Sequence, residues 1–395
     1  MPPGGRPDDR GGGGELSTPR LRRDTPERAG LDPAQLARAV ADTHALTAGE
    51  HPWAAGAVVA VGRGAVLAVE EAAGWAVRYA SCDPRTGTGV ELPAGDRVPA
   101  TVGTPFDLAS LTKLFTAVAA VQQIERGTLG IDAEVGAYLP DFRGAAAHRV
   151  TVRHLLTHTS GLRPELPLYD RPGREERLAL LRAEQPSGPA GAYRYSDLNM
   201  LLLQQVLERV TGRTLDVLVR DGITRPLGMT ATRFGPCPDA AATEDQRRPW
   251  AKADRGMVRG VVHDENAWAL GGVAGHAGLF STARDLAVFC RALLAGGSYG
   301  PARILGPDFV ELLLAEPGLG FALDQPWFMG ELAGRGAAGH TGFTGTMLVL
   351  DRATDTFAVL LANTVHPRRR PPDNGPRATL CTRLARAVRA APGAG

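Results

Sequence analysis

The chain has 395 residues, 44% of them apolar, and its 44 lysines and arginines nearly balance 42 aspartates and glutamates for a net charge of +2. That is enough chain for one large domain or two closely packed lobes, and the near-neutral balance gives no basis for a nucleic-acid partner. Four cysteines, Cys82, Cys237, Cys290 and Cys381, lie far apart without metal-ligand spacing and read as buried free thiols.

Residues 1–24 contain Met1-Pro2-Pro3-Gly4-Gly5, the run Gly11 to Gly14 and several arginines. No hydrophobic segment follows, so the stretch reads as a flexible tail rather than a signal peptide. No apolar run reaches transmembrane length, and a soluble, cytoplasmic protein without a membrane anchor is expected. Thr25-Pro26-Glu27-Arg28 and Asp32-Pro33-Ala34-Gln35 both carry helix-start signals. Gly56 to Val69 reads as two strands joined by a glycine turn, with Gly74-Trp75-Ala76-Val77-Arg78 as a possible third. Residues 83–99 are polar and glycine-rich and read as a loop.

A long helix is expected over 110–125 and a short one at Val152-Arg153-His154-Leu155-Leu156. Residues 163–192 are charged and rich in proline and glycine, which suggests surface structure around a cleft. A helix then runs through Leu201 to Leu207 towards Gly212. Residues 235–256 look polar and irregular, and Ser281-Thr282-Ala283-Arg284-Asp285 opens a helix reaching about Leu294. Thr346 to Asp351 and Phe357 to Asn363 form an apolar strand pair, and a final helix covers 380–390. Strands at both ends with helices between imply one sheet built from both termini plus a helical insert.

Three separated pieces carry the chemistry. Ser110 and Lys113 stand one helical turn apart at the head of an apolar helix, so both point to the same side. A serine hydroxyl attacks a carbonyl only if a neighbour takes its proton, and Lys113 serves if burial and neighbours lower its pKa. Tyr195-Ser196-Asp197 brings a phenol that loses its proton more easily beside an ammonium, so Tyr195 and Lys113 can share the base role. Asp197 is placed to hold Lys113 or a substrate amide. His340-Thr341-Gly342-Phe343 precedes a predicted strand, and Gly342 lets the backbone approach an acyl group. The N–H groups of Ser110 and Phe343 would form an oxyanion hole.

Serine, lysine, tyrosine and a glycine-bearing strand in this order resemble the serine β-lactamase and penicillin-binding-protein superfamily, and its class C-like branch in particular. His154 to Leu162, Pro226-Leu227-Gly228-Met229, Val262 to Ala267 and Gly275 to Thr282 look like further signatures, and the similarity extends from about 25 to 390. The resemblance implies an α+β fold, an antiparallel sheet flanked by helices with a mainly helical lobe and the site at their junction. The sheet lobe would take about 25–105 and 300–390, the helical lobe about 106–299, and 391–395 would be a tail. It also implies Ser110 as the acylated nucleophile, Lys113 as its partner and Tyr195 as general base or acid. Asp197 stands where asparagine is frequent, and its negative charge should favour the charged lysine and shift base work towards Tyr195. His340, with Thr341 and Gly342 beside the substrate, stands where lysine is usual. Losing that lysine argues against a committed penicillinase.

A serine acyl hydrolase acting on a small ester, amide or peptide is therefore expected, as an esterase or a D-amino-acid-type peptidase, without a cofactor or metal. The alternatives are a transacylase or peptide cyclase using the same acyl-enzyme, then a β-lactamase, then a non-catalytic ligand-binding protein. His154 and His158 are four apart but lack an acidic third ligand, and Gly271-Gly272 and Gly275 lack the lysine of a phosphate loop. The segment holding His263, Asp264, Glu265 and His276 is read as edging the cleft.

Overall fold

A computed structural model describes residues 18–388. Most of the expected N-terminal tail and the expected 391–395 tail lie outside the described residues. The centre is an eight-stranded sheet. Its strands are β1 (Arg22–Arg23), β2 (Gly56–Arg63), β3 (Val66–Val77), β4 (Val98–Pro99), β5 (Ala322–Leu323), β6 (Ala338–Thr341), β7 (Met347–Asp351) and β8 (Thr356–Ala362). The order is β1-β3-β2-β8-β7-β6-β5, with β4 paired along β3. Every pairing is antiparallel except β1 with β3. The two ends of the chain meet where β8 pairs β2, from Thr356 opposite Arg63 to Ala362 opposite Ala57.

All residues of β7 and β8 are buried, because helices cover both faces of the sheet and leave no polar side. Alternation along the strands sorts the side chains into two cores. Val59, Val61 and Leu360 pack with Leu36 of helix α1 (Pro33–Leu46) and Leu380 of helix α6 (Gly375–Ala387). Val58, Ala60 and Val359 face the larger core, which holds helix α2 (Thr112–Glu125), helix α3 (Asp197–Thr211) and helix α5 (Ala283–Leu294). Phe115 of α2 and Phe289 of α5 stack with centroids 4.5 Å apart, which ties the helical lobe to the helix lying on the sheet. All four cysteines are buried free thiols. No helix among the described residues is long and apolar enough to cross a membrane.

Several expectations change. Arg22 and Arg23, placed in the tail, form the edge strand β1, held by their backbone pairing with Val66 and Leu67. Thr25-Pro26-Glu27-Arg28 makes turns, not a helix, and Gly30 (φ 66°) ends them in the left-handed region. Asp32 does start α1, accepting the Ala34 N–H at 2.9 Å with Pro33 behind it. Gly74 to Val77 continues β3 rather than adding a third strand. The 83–99 loop contains Gly89–Glu91, paired with Tyr79–Cys82, and β4. The 163–192 segment carries the helix Arg174–Ala183, and the last helix runs Gly375–Ala387. His340 and Thr341 precede the expected strand, present as β7, and themselves end a further strand, β6.

The largest departure is Ala242–Gln246. Its sequence is Ala-Thr-Glu-Asp-Gln, yet it is a fully buried strand paired with Gly256–Arg259. Its charges are satisfied by distant groups. Glu244 takes Arg369 and His263, and Asp245 takes the Cys82 N–H and Arg247. Replacing Phe289 by alanine empties the contact between the lobes. It should lower the unfolding free energy by about 3–5 kcal/mol, read from urea denaturation, and a loss below about 1 kcal/mol would show that the stack does not join them.

Candidate active site

Ser110 sits in a single 3₁₀ turn, Ala109–Leu111, that runs directly into α2. From Thr112 to Gln123 every residue of α2 is buried, so the helix has no solvent face. Lys113 is part of that run, and its side chain is 0% exposed. A buried ammonium is expensive unless paired, and here three acceptors surround it. Nζ donates to Ser110 Oγ at 2.9 Å and to the His276 carbonyl at 3.2 Å, and lies 2.8 Å from Asp197 Oδ1. Asp197 is the first residue of α3, with its N–H tied to the Pro164 carbonyl.

Tyr195 precedes α3 by two residues and donates its phenol to Ser110 Oγ at 3.0 Å. Its ring lies 4.9 Å from Lys113 Nζ, between the imidazoles of His158 at 4.8 Å and His340 at 5.9 Å. His158 is itself fixed. Its Nδ1 accepts the Ser196 N–H at 3.2 Å and lies 3.1 Å from the Asn199 amide. The His154–His158 spacing therefore marks structural use. His154 Nδ1 accepts the Thr151 N–H in a capping box, while His158 orients the phenol.

The turn after β6 closes the other side. A Cβ at Gly342 would lie 2.5 Å from the Leu108 carbonyl, so only glycine lets this turn approach the serine's own turn. Phe343 follows, 53% exposed, with its ring stacked on His263 at 5.6 Å and under the Arg369 guanidinium at 5.6 Å. His340 donates Nδ1–H to the Thr341 carbonyl at 2.7 Å.

The electrostatics run with the Asp197 charge rather than with a lowered Lys113 pKa. Burial alone would lower the Lys113 pKa, but the Asp197 carboxylate, with the Tyr195 oxygen after it, outweighs burial and raises it. Burial raises the Tyr195 pKa, and the Lys113 charge only partly offsets it. At rest the pair is ammonium and neutral phenol. Burial, then the Lys113 charge, lowers His340 to about 4, so its imidazole is neutral at pH 7. His158 is pushed down to about 3 by burial and the same ammonium.

Ligand atoms of Asp197, Asp264 and His276 come within 4.8 Å of one another, a spacing that suits a metal ion. The Lys113 ammonium already lies against Asp197, and His276 is engaged with Asp264 at 2.9 Å. Of the residues expected at the site, Ser110, Lys113, Tyr195, Asp197 and His340 converge, with Thr341 at the end of β6 and Gly342–Phe343 in its turn. Asp197 serves the lysine, the first of its two expected uses. Sequence reasoning passed over the His276 carbonyl, which carries no residue-type signal. It also passed over Asp107, whose signal was a lone charge inside the apolar Phe106-Asp107-Leu108-Ala109.

Residues 37–380 match the family model described as Beta-lactamase. The chain belongs to the beta-lactamase family. Among curated relatives it is 32% identical over 319 residues to a "Putative D-alanyl-D-alanine carboxypeptidase" of Escherichia coli (strain K12), covering 71% of this chain and 73% of the relative. It is 30% identical over 314 residues to an N-acetylmuramyl-L-alanine amidase of Bacillus subtilis (strain 168), covering 69% and 71%. In fold it is similar to EstCE1, titled a hydrolase with promiscuous acyltransferase activity, with TM-score 0.67, 22% identity and coverage of 89% of this chain and 99% of that one. A class C beta lactamase from Rhodobacter sphaeroides gives TM-score 0.66 at 24% identity, with coverage of 88% and 97%. The family's beta-lactamase and transpeptidase-like α+β architecture is the one observed.

Removing the Lys113 counter-charge with Asp197→Ala should cost about 3–5 kcal/mol of stability at neutral pH. Because Lys113 titrates higher in the folded state, the difference from wild type is full below the unfolded lysine pKa of about 10.4. It closes as pH rises towards the folded value. Denaturation curves at pH 7 and pH 11 measure it, and a pH-independent difference would contradict the pairing.

Proposed function

We propose that the protein is a serine acyl hydrolase that passes the acyl group of an ester or amide through a covalent ester on Ser110. One observation carries this reading: Ser110 Oγ is held at 3.0 Å from Tyr195 Oη and 2.9 Å from Lys113 Nζ. Those are hydrogen-bond distances for proton transfer and charge stabilisation at a nucleophile.

Lys113 is charged and cannot accept a proton, so the base is the phenolate form of Tyr195. Ser110 Oγ attacks the carbonyl carbon while its proton passes to Tyr195 Oη. The Oγ–C bond forms and the carbonyl π pair moves to oxygen. The N–H groups of Ser110 and Phe343 receive that negative charge. Phe343 N–H has no protein acceptor among the described residues and is available for it. As the intermediate collapses, Tyr195 gives its proton to the departing oxygen or nitrogen, which restores the phenolate. Water then repeats the sequence: it gives a proton to Tyr195, attacks the acyl carbon, and Tyr195 returns the proton to Ser110. Lys113, fixed by Asp197, stabilises the phenolate throughout without changing its own protonation.

The substrate reading follows from charge. His340 is neutral, and Arg369 is bound by Glu244 and Glu265. Arg377 is committed to Asn374 and the Gly342 carbonyl. Among the described residues, His340, Arg369 and Arg377 thus offer no free cation to a carboxylate beside the scissile bond, which favours esters and amides uncharged there. The amidase named among the relatives supports amides as one such class, whereas the carboxypeptidase name points to a substrate with a carboxylate beside the cleaved bond.

Intact-mass spectrometry after brief exposure to p-nitrophenyl acetate should show a single acetyl adduct on wild type and none on Ser110→Ala; an adduct on both would contradict the assignment. Tyr195→Phe should lower kcat by about 10²- to 10⁴-fold. Since the base form of Tyr195 lies above a pKa of about 10, the acylation rate should climb with pH through the neutral and alkaline range. A profile flat from pH 7 to 10 would exclude Tyr195 as the base.

A further inference from the structure

Ala109, immediately before the nucleophile, has φ 46°. That is the left-handed region, where an L-residue with a Cβ is strained by about 1–3 kcal/mol. Something must hold it there. The Ala109 N–H donates to Asp107 Oδ1 at 2.8 Å, and the other oxygen, Oδ2, accepts the His263 N–H at 2.6 Å. Asp107 is 2% exposed, so these bonds are made out of water and their loss is not replaced by solvent.

The same residue ties down the opposite wall. Thr344 Oγ1 donates to the Asp107 carbonyl at 2.7 Å, and Thr346 Oγ1 donates to the Leu108 carbonyl at 3.0 Å. Residues 107–109 thus connect the serine's turn, the Gly342–Thr346 turn carrying Phe343 N–H, and the His263 segment. Asp107 touches neither Ser110 Oγ nor the space where a carbonyl would bind.

We infer that Asp107 is a positioning residue that clamps the strained Ala109–Ser110 turn and fixes Ser110 against the turn bearing the Phe343 N–H. The inference rests on Ser110 being the nucleophile. Burial raises the Asp107 pKa, and the His263 imidazole and the two N–H bonds oppose it. In Asp107→Asn one oxygen remains, and the new amide NH₂ faces an N–H at the other corner, so one of the two tethers is lost.

The test uses a fluorophosphonate probe, which labels activated serines. Labelling of wild type but not of Ser110→Ala establishes the nucleophile on its own, so failure of that reading and failure of this one are seen in different samples. In Asp107→Asn the labelling rate constant should fall by roughly 10- to 100-fold, the effect of misplacing a reacting group by about an ångström. The apparent affinity for the probe should change by less than about threefold, because the binding groups are untouched. Adding Ala109→Gly should recover most of the lost rate, because glycine holds a positive φ without a tether. Because Ala109→Gly also relieves strain and raises stability, the rates are compared where denaturation curves show every variant fully folded, so that a merely less stable variant starts with an unchanged rate. If Asp107→Asn does not fold, Thr344→Val carries the test by cutting only the bond to the Asp107 carbonyl, with a fall in rate at unchanged affinity expected. A labelling rate in Asp107→Asn within about twofold of wild type, no recovery in the double variant, or an unchanged rate in Thr344→Val would overturn the role.

Discussion

Everything at this site depends on one buried charge. The Lys113 ammonium lies inside the apolar helix α2 with no exposure to water, and a lone charge there would not be tolerated. It is held by Ser110 beside it in sequence, by Asp197 at the head of α3, and by the His276 carbonyl from a loop further along the chain. No two of those partners come from the same element. Packing α2 against α3 and closing the 272–278 loop over them is therefore a condition for burying Lys113 at all. The cluster that stabilises the lobe is the cluster that prepares the serine.

A second layer of buried polar groups holds the opposite wall. The strand Ala242–Gln246 brings Glu244 under Arg369 and His263, and both of those side chains pack against the Phe343 ring. The pairing keeps the Glu244 carboxyl down at about 2, despite burial that would raise it. Arg369 also reaches Glu265 in helix α4 (Glu265–Ala269), whose N-cap is Asp264. Asp264 pairs with His276, the residue whose carbonyl holds Lys113. The polar network thus runs from one wall of the cleft to the lysine. Such a network favours one arrangement because breaking any of its pairs leaves a further buried group unpaired, although His276 Nδ1 already has no partner among the described residues.

The sequence made much of this visible. Ser110 and Lys113 stood out because a lysine within an apolar helix contradicts its own surroundings. Tyr195 and Asp197 followed from the order of serine, lysine, tyrosine and glycine-bearing strand that resembles the family, and the strands β2, β7 and β8 from unbroken apolar stretches bounded by turns. What stayed hidden shares one cause, which is that satisfaction comes from far away. Ala242–Gln246 looks like a loop because Thr243, Glu244, Asp245 and Gln246 read as solvent-facing, and Glu244's partner Arg369 is 125 residues distant. Arg22 and Arg23 look like tail because their strand exists only through pairing with β3. The charge of Asp197 was legible and pointed to a charged Lys113, but its 2.8 Å distance, which lets attraction outweigh desolvation, was not.

The central claim is that Lys113 is a permanent cation whose field supports Tyr195, not a neutral amine that takes the serine's proton. The most direct measurement is NMR of the lysine Nζ, with Lys113 assigned by its absence in Lys113→Met, followed in the free enzyme from pH 6 to pH 10. The account predicts a single charged ammonium across that whole range. A Lys113 signal that titrates to the neutral amine within it would contradict the account and make the lysine the base.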